Sequence, residues 1–317
     1  MRFEKWQALG NDYLIVEQEQ LPFELTPARA RRLCDSHFGV GSDGVLLLER
    51  CAGVNVARLA IFNPDGSRAE LSGNGARQAI LYLRHRGWTD RDVFSIETDA
   101  GEIRPTITGP WTCRVDMGRA RLTSRDFPGG PADGLGQIAL ADPAAPARQR
   151  AAPLDDPAAP AGQGARGTWA FRHVSIGNPQ CAIRVEGEDR LAALDLPALG
   201  PAIEGHERFP NRTNVSWYTA LGPDRIRARI FERGVGETLS SGTGASGAAV
   251  AHLLGQDADR GRTGVGGQPR RVTVVLDGGE LEVEVGEDLR VNLTGWGKPV
   301  FAGELSEELV KELHETE

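Results

Sequence analysis

Two serines, each opening a glycine-rich phrase, are the residues whose type and spacing could do chemistry. Phe62 is followed ten residues later by Ser72-Gly73-Asn74-Gly75-Ala76, and Phe231 ten residues later by Ser241-Gly242-Thr243-Gly244-Ala245. Such a phrase suits the start of a helix, where the first backbone N–H groups lack intrahelical partners and together carry about half a positive charge. Glycine lets the backbone approach an anion closely, so a carboxylate or phosphate is what such a turn holds. A single Ser-Gly-x-Gly turn is commonly a tight connection and nothing more. Two of them in matched surroundings point to two helix N-termini aimed at one anionic ligand.

The surroundings do match, and they indicate a duplicated domain. Gly10-Asn11 precedes the first phrase and Gly177-Asn178 the second; Asp99-Ala100-Gly101-Glu102-Ile103 follows the first and Asp277-Gly278-Gly279-Glu280-Leu281 the second. Cys113-Arg114-Val115-Asp116-Met117 likewise parallels Leu289-Arg290-Val291-Asn292-Leu293. Around each phrase the pattern reads strand, turn, helix. Arg225 to Ile230 alternates charged and apolar residues, as a strand with one buried face does. Ala76, Ala79, Ile80 and Leu83 form one helical stripe that Gly87 should end, and Ala245, Ala248, Ala249 and Leu253 form another before Gly255. The second stripe is built of small residues, which suits close packing inside a sheet. Strand-like runs lie at Leu14 to Val16, Val45 to Leu48, Phe94 to Glu97, Val272 to Leu276 and Leu281 to Val285. From about Phe127 to Gly167 the chain turns rich in Ala, Pro and Gly, a composition that buries too little apolar surface to order itself fully. This stretch reads as an insertion in the second half, away from the chemistry. Glu304 to Glu317 reads as a short amphipathic helix with Leu305, Leu309 and Leu313 on one face.

Composition narrows the ligand. At 317 residues there is room for two domains with their own cores, and a net charge of −8 without a basic run argues against nucleic acid and anionic membrane as partners. A small molecule is the better expectation. The four cysteines lack CxxC spacing, no signal-peptide pattern opens the chain and no apolar run nears the roughly 20 residues that span a bilayer, so a cytoplasmic protein with reduced thiols is expected. The six histidines form no ligand-like cluster, so no metal is expected. Gly242 to Gly247 also fits the GxGxxG pattern of dinucleotide binding. That motif directly follows a strand, whereas Phe231 lies ten residues before Ser241, and the first copy lacks the third glycine.

Six motifs in order carry a family resemblance: Ala8-Leu9-Gly10-Asn11-Asp12-Tyr13, Phe62-Asn63-Pro64-Asp65-Gly66, Ser72 to Arg77, Gly177-Asn178-Pro179, Arg212-Thr213-Asn214-Val215 and Phe231 to Thr238. Together they resemble the diaminopimelate epimerases over nearly the whole chain apart from the Ala/Pro-rich stretch. The resemblance implies an α+β fold of two pseudo-symmetric halves, each a curled, barrel-like mixed sheet around a central helix, with the substrate in the cleft between them. Residues 1–118 with 297–317 would form one half, and 119–296, including the insertion at about 127–167, the other. It also implies a cofactor-free reaction in which one residue from each half flanks the α-carbon, one removing the proton and the other returning it to the opposite face. Oligomeric state is left open, a homodimer included.

The chain departs from that family where the proton moves. Both flanking residues of the family are cysteines, and here they are Ser72 and Ser241; the family's histidine after Gly-Asn-Pro is Gln180. Of the usual proton-transfer groups Glu232 remains, with an ordinary ion pair to a neighbouring arginine as its alternative role. A thiol with a pKa near 8.5 reaches the thiolate near neutrality, whereas a serine hydroxyl needs an adjacent base. The resemblance assigns Asn63, Asn178, Asn214 and Arg233 to the far amino-acid end of the substrate and Asn11 to another pocket position. It gives the N–H groups of Gly73, Asn74, Gly242 and Thr243 to the α-carboxylate. Gly44 stands where the family commonly has a glutamine, a loss expected to loosen the pocket on that side. Three readings follow: an epimerase on a diaminopimelate-like substrate using Ser72, Ser241 and Glu232; a non-catalytic binder of such an amino acid; and a one-base isomerase in which Glu232 works on one face.

Overall fold

The computed structural model describes residues 1–70, 72–140, 167–262, 264–265 and 267–316. In chain order the elements are β1 (Arg2–Ala8), β2 (Asn11–Glu17), α1 (Pro27–Cys34), β3 (Val45–Arg50), β4 (Ala57–Phe62), β5 (Arg68–Ala69), α2 (Gly73–His85), β6 (Ile96–Thr98), β7 (Gly101–Ile103), β8 (Thr106–Gly109) and β9 (Thr112–Arg119). They continue with β10 (Leu135–Leu140), β11 (Gly167–Ser175), β12 (Pro179–Arg184), α3 (Glu188–Ala192), α4 (Leu196–Glu204), β13 (Asn214–Gly222), β14 (Arg225–Glu232), β15 (Gly236–Thr238) and α5 (Gly242–Asp259). The chain ends with β16 (Arg270–Leu276), β17 (Gly279–Val285), β18 (Arg290–Trp296), β19 (Lys298–Glu304) and α6 (Glu307–Glu315). Two compact units result: Met1–Asp116 with Thr294–Glu317, and Met117–Leu293.

The sequence repeat returns as a repeat of topology. In the first unit the strand order is β19-β1-β2-β3-β4-β6-β7 with β5 paired to β4; in the second it runs β10-β11-β12-β13-β14-β16-β17-β18 with β15 paired to β14. The parallel pairs fall at the same places, β2 with β3 and β4 with β6 in one unit, β12 with β13 and β14 with β16 in the other. The Asp99 and Asp277 phrases are the tight hairpins β6–β7 and β16–β17. Each unit is thus a mixed sheet with one central helix, α2 against β1 to β3 and α5 against β11 to β14, β16 and β17. This is the α+β architecture of two like halves.

Both central helices start the same way. Ser72 and Ser241 have extended backbones, φ −123° and −143°, and each hydroxyl accepts the N–H three residues on, from Gly75 and Gly244. Such a cap satisfies a donor that the helix itself cannot, and is worth about 1 kcal/mol. Inside α5 the small residues answer to the strands around it: a methyl group on Gly244 would come within 2.7 Å of Ile230, and one on Gly247 within 2.9 Å of Gln180. Gly255 does not end α5, which runs to Asp259 and turns out at Gly261, φ +70°. The reason is tertiary. His252 and Gln256 both reach the Pro223 carbonyl, and buried Asp257 holds Arg270, contacts that outweigh the roughly 1 kcal/mol an interior glycine costs.

The Ala/Pro-rich stretch is shorter than its composition suggests. Residues 127–140, expected to open the insertion, belong to the core of the second unit: Phe127 and Ile138 are buried with Trp169, Phe171 and Phe209, and β10 pairs with β11. Proline and alanine on the far side mask the apolar positions of Leu135 to Leu140 in any window average. Residues 141–166 of that reading lie outside the described residues. At the C-terminus, Ser306 caps α6, and Leu305 and Leu313 are buried in the first unit's core beside Leu33 and Phe23. Among the described residues no helix is long and apolar enough to cross a membrane.

Candidate active site

In the second unit the β14–β15 hairpin carries the chain from Glu232 to Ser241, the residue that caps α5. Glu232, the last residue of β14, lies near the Ser241 side chain, which favours its ionised form. Burial pushes the Glu232 carboxyl above the ordinary carboxylate range, and the neighbouring Ser241 side chain offsets part of that rise. Ser241 is itself buried; its oxygen accepts the Gly244 N–H at 3.2 Å and lies 3.4 Å from the Thr243 hydroxyl. The chain of bonds continues outward. Asn178 donates to Thr243 Oγ1 at 3.3 Å, and Gln180 donates to Asn178 Oδ1 at 2.6 Å. Gln180 sits in the histidine position of the resemblance, fully buried, and its Oε1 has no partner among the described residues.

Every amide in that series can be oriented by the one before it. With its oxygen held by Gln180, Asn178 presents its NH2 to Thr243. A Thr243 oxygen that accepts from Asn178 keeps both a proton and a second acceptor position for Ser241. Ser241 accepts the Gly244 N–H, and either hydroxyl of the Ser241–Thr243 pair can be the donor. The arrangement sets Ser241 beside a carboxylate, the neighbour a serine requires for activation.

A second cluster of the same unit stands at the ends of β13 and β14. Asn214 donates to the Pro179 carbonyl at 3.2 Å and accepts the Arg233 N–H at 2.8 Å; Arg233, exposed, reaches the Asn211 carbonyl at 2.8 Å. Buried Glu204 on α4 fastens the same corner by accepting the Gly234 N–H at 2.8 Å and pairing with Arg212. Sequence reasoning missed Glu204. Its one signal is a carboxylate closing the otherwise uncharged helix Leu-Pro-Ala-Leu-Gly-Pro-Ala-Ile-Glu.

In the first unit Ser72 caps α2, accepting the Gly75 N–H at 3.1 Å and the Tyr13 hydroxyl proton at 3.2 Å. The Asn74 side chain accepts from Arg77, whose guanidinium is fully buried; desolvation brings its pKa down to about 10, and its Nε and Nη1 have no partner among the described residues. Gln78 on α2 donates to the Asn11 carbonyl at 2.9 Å, and the Asn11 side chain donates to Asp43 at 2.8 Å. Asn11 is therefore tied to the same helix that Ser72 opens. Asn63 is engaged elsewhere: its side chain donates to Ser67 at 2.9 Å within the turn between β4 and β5.

Gly44 does not leave the loosened side expected of it. A methyl group there would come within 2.4 Å of the Phe62 carbonyl oxygen and 2.6 Å of the Tyr13 ring, and the backbone has φ +156°. The Tyr13 ring occupies that space, with its hydroxyl on Ser72. Gly44→Ala is expected to destabilise the protein by about 1–3 kcal/mol through overpacking, read as a lower urea midpoint at unchanged slope. An unshifted midpoint would show that Tyr13 yields freely.

The sequence profile of the family described as diaminopimelate epimerase matches residues 3–123 and 172–301. Two proteins named diaminopimelate epimerase, from Pelotomaculum thermopropionicum and Synechocystis sp., are 39% and 38% identical to this chain over 306 residues, each alignment covering 96% of this chain and 98% of the relative. Among solved structures, a phenazine biosynthesis protein of the PhzF family from Bacillus anthracis matches with a TM-score of 0.62 at 16% identity, over 96% of this chain and 99% of that one. A hydroxyproline epimerase from Agrobacterium vitis matches with a TM-score of 0.55 at 14% identity, over 96% and 91%. At these identities the two structures speak to the fold alone.

Proposed function

The chain belongs to the diaminopimelate epimerase family, and from that premise we propose that it is a cofactor-independent isomerase acting at the α-carbon of a diaminopimelate-like amino acid. Lysine and cell-wall precursor synthesis in the cytoplasm is the setting this reading gives it. The observation that carries the proposal is the juxtaposition of Glu232 and Ser241 at the start of α5. A partly buried carboxylate with a raised pKa, set beside a capping hydroxyl, is a base poised for a weakly acidic proton.

In this reading Ser72 and Ser241 stand for the family's two proton-transfer residues and serve opposite faces of the α-carbon. The N–H groups of Gly73, Asn74, Gly242 and Thr243 hold the α-carboxylate, which takes up charge as the proton leaves. Asn63, Asn178, Asn214 and Arg233 bind the distal amino-acid end, and Asn11 holds another pocket position. Closure around the substrate excludes water from the carbanion-like intermediate.

A second reading, isomerisation with a single base, is favoured by one contrast. Ser241 stands beside a carboxylate, whereas the bonds of Ser72 come from the Gly75 N–H and the Tyr13 hydroxyl. A single base exchanges the α-proton and returns it to the same face. Purified protein incubated with LL- and meso-diaminopimelate in heavy water should place deuterium at the α-carbon, and chiral analysis of the product separates inversion from retention. Absence of deuterium at every pH would overturn the catalytic reading and leave the family's pocket as a binding site.

A further inference from the structure

We propose that Tyr13 is the proton source of the first unit, a positioning residue that directs the Ser72 hydroxyl proton toward the substrate and replaces it as it leaves; this rests on the isomerase reading above. A serine oxygen has two acceptor positions and one proton. Ser72 has both acceptor positions taken, by the Gly75 N–H at 3.1 Å and the Tyr13 hydroxyl at 3.2 Å, so what it has left to give is its proton. Ser241 is the other case, because it stands beside the Glu232 carboxylate and has no phenol among its hydrogen bonds to the described residues. The two serines, alike in sequence and in capping role, therefore divide the work: Ser241 with Glu232 takes a proton, and Ser72 with Tyr13 gives one.

The chemistry needs such a donor. An aliphatic hydroxyl is about as weak an acid as water, while a phenol ionises near 10. Ser72 alone would be left an alkoxide after protonating carbon. Coupled to Tyr13, the Ser72 O–H bond breaks as the new C–H bond forms on the carbanion's electron pair, and the Tyr13 proton moves to the Ser72 oxygen. The charge that remains is a phenolate. The proton lost by the substrate on the other face rests on Glu232, so the reaction balances, and the reverse turnover or exchange with water resets both groups. Packing fixes the Tyr13 ring in the donating position, since the residue is buried and the ring edge fills the space beside Gly44.

The test compares wild type with Tyr13→Phe, which keeps the ring and removes the hydroxyl. Deuterium exchange and net inversion are followed from LL- and from meso-diaminopimelate in heavy water, with thermal unfolding as a check on folding. The expected result is a split: inversion falls about 10²-fold or more while exchange with retention persists from one of the two isomers. Equal inversion by the variant and wild type overturns the relay alone. Exchange and inversion falling together by the same factor would make Tyr13 merely structural and overturn it too. Wild type that neither exchanges nor inverts sinks the isomerase reading and the relay with it.

Discussion

Restoring the two thiols and the imidazole, by Ser72→Cys and Ser241→Cys with Gln180→His, is expected to raise α-proton exchange by about 10²–10⁴-fold, the span a well-placed acid–base group contributes. The physical reason is the position these side chains hold. Each serine caps a central helix, φ in the extended range and side chain on the N–H three residues on, so a thiol there sits in the positive end of the helix. That end lowers a thiol pKa from about 8.5 toward neutrality. Each unit of pKa is about 1.36 kcal/mol, so the several units separating a hydroxyl from a thiol dominate every other term at the site. The substitution has a cost, since a thiol caps less well than a hydroxyl, about 1 kcal/mol for each helix. Exchange measured alongside calorimetric binding decides the matter: a variant that binds diaminopimelate yet exchanges no faster than wild type would refute the assignment of these two positions.

Loss of the base gives the second large effect. Glu232→Gln keeps the size of the side chain and a polar partner for Ser241 but removes the carboxylate, and exchange should drop by about 10²–10⁴-fold with ligand affinity little changed. The pH profile carries the finer expectation. Burial raises the Glu232 pKa, so the active, ionised form accumulates at a pH above the ordinary carboxylate range, and the rising limb of wild-type exchange lies there. Glu232→Gln should lack that limb. Stability moves with the opposite sign: because the folded pKa is raised, whatever Glu232 contributes is present below the ordinary pKa and lost as pH rises through the folded one. Wild type should therefore lose stability over that window relative to the variant. A limb that survives in Glu232→Gln would assign the titration to another group.

The repeated phrases of the chain, read in order, determine much of the protein. Two Ser-Gly-x-Gly turns and two Asp-x-Gly hairpins fall at matching places because each phrase demands a local backbone, a capped helix start or a tight turn, that needs no distant partner. Alternation at Arg225 to Ile230 and the stripe from Ala76 to Leu83 mark a strand and a helix for the same reason. Tertiary structure alone decided the rest, where the deciding contact spans many residues. Tyr13 meets Ser72 across 59 residues and Asn178 meets Thr243 across 65, and no spacing rule reaches that far. Gly255 stays helical because Asp257 and Gln256 find partners beyond it, and Leu135 to Leu140 form a strand because β11 lies beside them. Local preferences of about 1 kcal/mol choose turns and caps. Which of two like serines faces a carboxylate and which a phenol is settled only when the strands that carry Glu232 and Tyr13 are packed against the helices.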